Sequence, residues 1–121
     1  MIKCMKKRKL VEEYVNGWRE GDEEKIMRHL SSDCVIVESD NSTYRGREEI
    51  YQWIRDWNKK RSKVNKWNIS SYDETEDMVF FEWHFQCTVT ERLHEFDGAS
   101  FVKFTSDKIS YMREYRAVRK N

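Results

Sequence analysis

The sequence predicts a single α+β domain over residues 1–121, in which three N-terminal helices pack in a strongly curved, mainly antiparallel sheet. In the first half of the chain, apolar residues recur at helical spacing; in the second half, they alternate with a period of two. No proline interrupts the second half. Helices gathered at one end of a chain and strands at the other are typical of an α+β architecture.

Two helices are expected before the first strand. The first helix ends at Gly21, and Asp22 is placed to cap the second. The second helix is short, and Ser31-Ser32-Asp33 is predicted to turn the chain into a strand over 34–39, a segment rich in β-branched residues. The apolar stripes that predict these helices are Leu10, Val11, Tyr14, Val15 and Trp18, followed by Ile26, Met27 and Leu30.

A third helix is expected from Arg47 to about Lys60, after a polar loop over 40–42. Four apolar residues recur there at i, i+3, i+4 and i+7, and two of them are tryptophans. The charged segment that follows, 59–66, is predicted to be a solvated helix end and loop. The four stripe residues are Ile50, Trp53, Ile54 and Trp57.

The remainder of the chain predicts four consecutive strands, over 67–72, 79–89, 96–104 and 109–117. The second of these alternates most clearly, and Ser106-Asp107 is expected to form the last tight turn. Strands joined by short connections favour an antiparallel meander. A twisted meander can wrap around the helices, so that the tryptophan side of the third helix meets an aromatic face of the sheet. We expect a small aromatic-lined pocket there.

Composition argues against several classes of protein. Lys and Arg number 23 against 22 Asp and Glu, and this balance gives no field to attract nucleic acid or an anionic membrane. The three cysteines and three histidines show no metal-ligand or disulfide spacing, so that we expect no metal, no cofactor and no disulfide. Free cysteines, without a signal peptide or membrane segment, favour a soluble cytoplasmic protein.

Taken together, the segments resemble the nuclear transport factor 2-like superfamily, which includes SnoaL-like polyketide cyclases, ketosteroid isomerases and limonene epoxide hydrolases. The resemblance rests on YVNGWREGDEEKIMRHLSSDCVIVES, YRGREEIYQWI, VFFEWHF and FDGASFVKFTSDKISYMREY, in that order. It extends from about residue 8 to 118. It implies a cone-shaped α+β barrel with a pocket at its open end, and dimers through the outer sheet face. Because this fold hosts unrelated chemistries, activity must be argued from the site.

Comparison with the ketosteroid isomerases implies three catalytic positions. Tyr14 matches their oxyanion-hole tyrosine, and Glu38 matches their general base, an aspartate. Ser100, or a neighbour one register away, matches their second oxyanion donor, a protonated aspartate. A carboxylate in an apolar pocket has a raised pKa and can shuttle a proton, while a buried tyrosine can stabilise an oxyanion. The alternative for Glu38 is a solvated strand end.

The limonene epoxide hydrolases imply a further acid at Glu114, which precedes a tyrosine on the last strand. Trp83 and Phe85 stand where those enzymes present an arginine and an aspartate. The alternative for Glu114 is an ion pair with Arg116, on the same side of the strand.

The sequence leaves three functions open. The favoured one is a SnoaL-like pocket protein that binds a small, apolar, planar molecule. The second is an acid/base enzyme (isomerase, cyclase or dehydratase) that uses Glu38 or Glu114 with Tyr14. The third is a dimeric interaction module with a vestigial pocket. A homodimer is expected through the outer sheet face, because Phe80 is an aromatic on the polar face. The residues expected near the contact are Phe80, Glu82, His84 and Gln86. The expected ligand-binding residues, each of which has a core role as its alternative, are Trp18, Trp53, Trp57, Trp83, Phe85, Ser100 and Met112.

Overall fold

The computed structural model describes residues 6–118 and contains three helices and six strands within that range. The helices precede the long strands, as the sequence predicts. The elements are α1 (Lys7–Glu20), α2 (Glu23–Met27), β1 (Leu30–Val37), β2 (Thr43–Arg45), α3 (Gly46–Lys59), β3 (Lys63–Glu74), β4 (Met78–Val89), β5 (Arg92–Thr105) and β6 (Lys108–Arg116).

The six strands form one sheet in the order β2-β1-β6-β5-β4-β3. Strands β3 to β6 pair antiparallel with their chain neighbours, which confirms the predicted meander. Strand β1 lies parallel to β6, with Val37 opposite Arg113. This parallel pair joins the N-terminal strand to the end of the meander, and it sets the residues that follow Val37 beside the second half of β6.

The end of α1 and the start of α2 have the causes predicted from the sequence. Gly21 follows α1 with φ 68°, a left-handed conformation that glycine adopts without steric cost. The side chain of Asp22 accepts a hydrogen bond of 3.1 Å from the backbone N–H of Lys25, and so caps α2. The buried face of α1 is the predicted stripe.

Three sequence predictions at element boundaries were wrong. Leu30 belongs to β1 rather than to α2, and residues 31–33 extend β1 through an irregular register instead of forming a turn. Residues 63–66 begin β3, because they pair with β4 despite their charge. Strand β2 was not predicted, since three residues beside a polar loop carry no periodicity.

The sheet has an inner face against the helices and an outer face away from them. On β4 the inner residues Val79, Phe81 and Trp83 are buried, whereas the outer residues Phe80 and Glu82 are exposed. This alternation is the one predicted for β4. Over the described part of the chain, no helix has both the length and the apolar character needed to span a bilayer.

Candidate functional site

A cavity of about 100 Å³ lies between the helices and the inner face of the sheet. Eight of its twelve lining residues are aromatic, and among them are all five tryptophans of the chain. The five indoles come from both the helices and the sheet, so that the cavity forms only where these two layers pack together. The lining residues are Tyr14, Trp18, Glu38, Ser39, Trp53, Trp57, Val64, Trp67, Trp83, Phe85, Phe96 and Glu114.

Several neighbouring rings in the cavity wall meet at nearly right angles. The planes of Trp18 and Trp57 are inclined at 88°, and Trp67 meets Trp83 at 81° and Phe85 at 89°. Edge-to-face contacts of this kind are favourable because the positive edge of one ring meets the negative face of the next. Perpendicular walls enclose space that parallel stacked rings would fill.

Trp83 is held in place from β5. It is 4 % exposed, and its Nε1–H donates a 2.9 Å hydrogen bond to the hydroxyl of Ser100. Gly98 lies directly opposite Trp83, and a Cβ there would approach the indole to 2.4 Å. A side chain at position 98 would therefore displace the ring from the cavity wall. The other deep indole nitrogen, Nε1 of Trp67, is buried and has no hydrogen-bond partner among the described residues.

Glu114 projects from β6 into this aromatic environment. Within residues 6–118 its carboxyl group has no hydrogen bond and no salt bridge, and no lysine, arginine or histidine lines the cavity. Burial raises the pKa of Glu114 to about 8, and the nearby charge of Glu38 adds to the shift. At pH 7 the carboxyl group is therefore largely protonated and can donate a proton.

Glu38 follows the end of β1 and lies beside Glu114 because the parallel pairing of β1 with β6 reaches Val37 and Arg113. The Tyr44 hydroxyl donates a 2.9 Å hydrogen bond to Oε1 of Glu38. Burial raises the pKa of Glu38, while this hydrogen bond lowers it by stabilising the carboxylate. The two carboxyl groups are thus unequal: Glu38 has a donor to stabilise its charge, and Glu114 has none.

Tyr14 is the third titratable group among the residues that line the cavity. It lies on the buried face of α1, with its ring edge-on to Trp67 at 6.1 Å. Burial, with the neighbouring charge of Glu114 as the next cause, raises the pKa of Tyr14 well above its usual value. The hydroxyl therefore stays protonated and serves as a hydrogen-bond donor.

The structure brings together most of the site residues that the sequence predicted. Tyr14, Glu38 and Glu114 share the cavity with the five predicted aromatics, Trp18, Trp53, Trp57, Trp83 and Phe85.

Two predicted ligand-binding residues lie elsewhere. Ser100 and Met112 are both completely buried, and neither is among the residues that line the cavity, which differs from the sequence prediction. Ser100 supports Trp83 instead. The ion pair with Arg116 that was the alternative for Glu114 does not form within the described residues, because the Arg116 guanidinium lies over the Phe96 ring, 4.3 Å from its centroid.

Sequence reasoning missed Trp67, Phe96 and Tyr44. Trp67 and Phe96 line the cavity, but each stands near the start of a predicted strand, where alternation had not yet established a face. Tyr44 orients Glu38, and its ring stacks on Trp53 at 4.3 Å and 9°. Tyr44 lies on the short strand β2, which carries no sequence signal.

The described residues contain no group of three or more His, Cys, Asp and Glu side chains arranged to hold a metal ion. Cys34 and Cys87 are free, buried thiols, and burial raises the pKa of Cys34 to about 12. Cys34 therefore remains a thiol at neutral pH and is not a nucleophile. Cys4 lies outside the described residues.

Helices enclosed by a curved sheet, with a pocket between them, define a cone-shaped α+β protein of the nuclear transport factor 2-like class. The SnoaL-like domain family matches residues 11–112, and the chain belongs to that family. No curated protein is significantly similar in sequence.

Solved structures share this fold at low sequence identity. An LEH-like epoxide hydrolase from M. tuberculosis has a TM-score of 0.80 at 16% identity, covering 90% of this chain and 80% of the other. A protein with a ketosteroid isomerase-like fold from Catenulispora acidiphila, in complex with trimethylamine, has a TM-score of 0.76 at 16% identity, covering 90% and 85%. TerC, co-crystallised with polyporic acid, has a TM-score of 0.76 at 13% identity, covering 91% and 90%.

Proposed function

We propose that this chain is a small-molecule-binding SnoaL-like protein whose ligand is small and mainly apolar, with one planar ring or a group of similar size. The observation that carries the proposal is the convergence of all five tryptophans on one cavity. Its volume of about 100 Å³ is less than the roughly 150 Å³ of a cavity that accepts benzene, so that larger ligands require the walls to move. The neighbours crystallised with trimethylamine and polyporic acid support small-molecule binding by this class of fold.

Tryptophan fluorescence offers a direct test of ligand binding. Benzene, phenol and small alkylamines, titrated one at a time, should quench or shift the emission, because every tryptophan of the protein lines the cavity. Trp57→Ala should weaken the binding, and because Trp57 is only partly buried its loss spares most of the core. Tyr115→Ala is the matched control, since Tyr115 is exposed on the outer face. Equal affinities in both variants, or no spectral response to any probe, would refute the proposal.

The second candidate is an acid/base enzyme, and the specific observation in its favour is the unequal pair of carboxyl groups. Glu114 is set to donate a proton and Glu38 to accept one, with the Tyr14 hydroxyl as a donor to a developing oxyanion. The epoxide hydrolase neighbour supports catalysis by a protein of this fold. On any accepted substrate, Glu114→Gln and Glu38→Gln should each lower turnover by about 10²–10⁴-fold. Unchanged turnover in both variants would exclude this mechanism.

For the assembly, we propose a homodimer through the outer sheet face. Phe80 is 45% exposed there and packs edge-on to Phe101, at 6.5 Å. Apolar side chains exposed on a sheet face favour a partner surface.

We also propose a cytoplasmic location, because the free thiols of Cys34 and Cys87 suit a reducing compartment.

A further inference from the structure

The residues that line the cavity include acidic side chains but no basic ones, and this difference narrows the chemical class of the ligand. The walls of the cavity are aromatic and its charged groups are two carboxyl groups, with no basic side chain among its lining residues. Aromatic faces carry negative electrostatic potential and attract cations, most strongly those of tryptophan. Both features of the lining therefore favour positive charge in the same space.

The polar groups around Glu114 come from three elements. Tyr14 approaches from α1, Glu38 from the end of β1, and Tyr44 from β2 through its hydrogen bond to Glu38. None of the three supplies a positive charge. Glu38 has its donor in Tyr44, whereas Glu114 has no hydrogen-bond or ionic partner among the described residues. A partly buried, desolvated carboxylate that lacks a partner is unfavourable, and a cationic ligand would provide one.

We propose that the ligand carries a small alkylammonium group, bound between the perpendicular indole walls and the carboxylates of Glu38 and Glu114. The inference rests on the proposed function, that the cavity binds a small molecule, and adds the charge of that molecule. A methylated ammonium matches the site better than a primary one, because its methyl groups contact rings while its charge is spread and weakly hydrated. The small volume limits the bound part to about a trimethylammonium head group.

A matched pair of probes separates charge from shape. Choline and 3,3-dimethylbutan-1-ol have the same shape, and differ in the charged nitrogen that replaces a carbon atom. Choline should bind at least about tenfold more tightly by isothermal titration or tryptophan quenching, because only the cation interacts with the rings and carboxylates electrostatically.

The pH dependence gives a second readout. Only the ionised form of Glu114 pairs with a cation, and its pKa is about 8 in the free protein. Choline affinity should therefore rise between pH 6 and 9, with release of a proton on binding, whereas affinity for the neutral probe should not rise. Tyr14 and Glu38 are the other titratable groups in the cavity. Tyr14 stays protonated over this range, and ionisation of Glu38 at lower pH acts in the same direction.

Two glutamate variants complete the test. Glu114→Gln keeps the shape of the side chain and removes its charge, and should reduce the preference for choline while retaining the neutral probe, because the aromatic rings and Glu38 still favour the cation. Glu95→Gln, on the outer face, should leave both affinities unchanged. Equal binding of the two probes, or a choline preference that Glu114→Gln leaves undiminished, would overturn the ammonium proposal and leave the pocket proposal standing. Failure of both of these probes and of every probe in the fluorescence titration would overturn both.

Discussion

Glu114 and Glu95 lie on adjacent strands of one sheet and face opposite sides of it. On the outer face, His84 donates from Nε2 to Glu95 at 2.6 Å and from Nδ1 to Asp97 at 2.7 Å, which requires a protonated imidazole. The hydrogen bond from His84 lowers the pKa of Glu95. On the inner face, burial without a partner raises the pKa of Glu114 to about 8. The side of the sheet, rather than the residue type, decides the chemistry of each glutamate.

This contrast separates interactions that stabilise the fold from groups that are available to a ligand. On the outer face, the carboxylates of Glu95 and Asp97 are already satisfied within the protein. On the inner face, the carboxyl group of Glu114 and the Nε1 of Trp67 have no partner in the described chain. Local departures from full polar pairing are typical of functional sites.

The largest expected difference between the two faces is in packing. Trp83→Ala should lower the free energy of unfolding by about 3–5 kcal/mol, because it removes a large buried ring and the donor to Ser100. Tyr115→Ala, 53% exposed on the outer face, should cost no more than about 1 kcal/mol. Urea unfolding of both variants measures the contrast. Similar losses of unfolding free energy in the two variants would mean that the two faces contribute equally to stability, and would contradict the expected difference in packing.

The pH dependence of stability tests Glu114 itself. Its folded pKa of about 8 lies above the ordinary value of 4.5, so that the folded state holds a proton that the unfolded state has lost. Stability should therefore fall as pH rises from about 4.5 to 8, by up to about 1.4 kcal/mol per pH unit. Glu114→Gln should flatten this slope, and leave the smaller contribution of Glu38, which has the same sign.

The matched control for this slope is Glu95→Gln. The pKa of Glu95 is lowered on folding, so that its contribution is present above the unfolded pKa and is lost as pH falls. Glu114→Gln should thus change the stability curve between about pH 4.5 and 8, whereas Glu95→Gln should change it mainly below about pH 4.5, with a slight effect at higher pH through the lost hydrogen bond to His84. Thermal unfolding from about pH 2 to 9 measures both changes. Parallel curves for Glu114→Gln and the unmodified protein would show that Glu114 is not desolvated.

A smaller effect is expected from a substitution in the proposed dimer interface. Phe80→Lys should raise the dimer dissociation constant about 10–100-fold, because it places a charge in the apolar part of the outer face. Val118→Lys changes an exposed apolar residue that lies after the last strand, and should have no effect. Sedimentation velocity at micromolar concentration measures both. A monomer for the unmodified protein would disprove the dimer.

The smallest effect is expected at His84. Hydrogen bonds to Asp97 and then to Glu95 raise its pKa above the ordinary 6.5. The charged pairing therefore contributes stability below pH 6.5 that is lost as pH rises through the folded pKa, and this contribution is slight because the cluster is exposed to solvent. An NMR titration of the imidazole should give a midpoint above 6.5. A midpoint at or below 6.5 would mean that the outer-face cluster does not form in solution.

Much of the fold follows from local patterns. The stripes on α1 and α3, the cap at Asp22, the left-handed Gly21 and the alternation along β4 were all predictable, since each depends on residues within one or two turns or a few strand positions. The boundaries of β1 and β3 could not be predicted from local patterns. Pairing with a neighbouring strand overrides the local preference of polar and charged residues there, and the sequence does not reveal which neighbour is available.

The sequence by itself determined that many aromatic rings had to be buried, that glutamates stood at positions 38 and 114, and that a helix face and a sheet face would meet. The tertiary structure decided that Trp67 completes the set of five tryptophans around one cavity, and that Tyr44 binds Glu38 while Glu114 has no partner. The physical reason is distance along the chain. Desolvation and hydrogen bonding depend on groups that the parallel pairing of β1 with β6 and the curvature of the sheet bring together from separate segments.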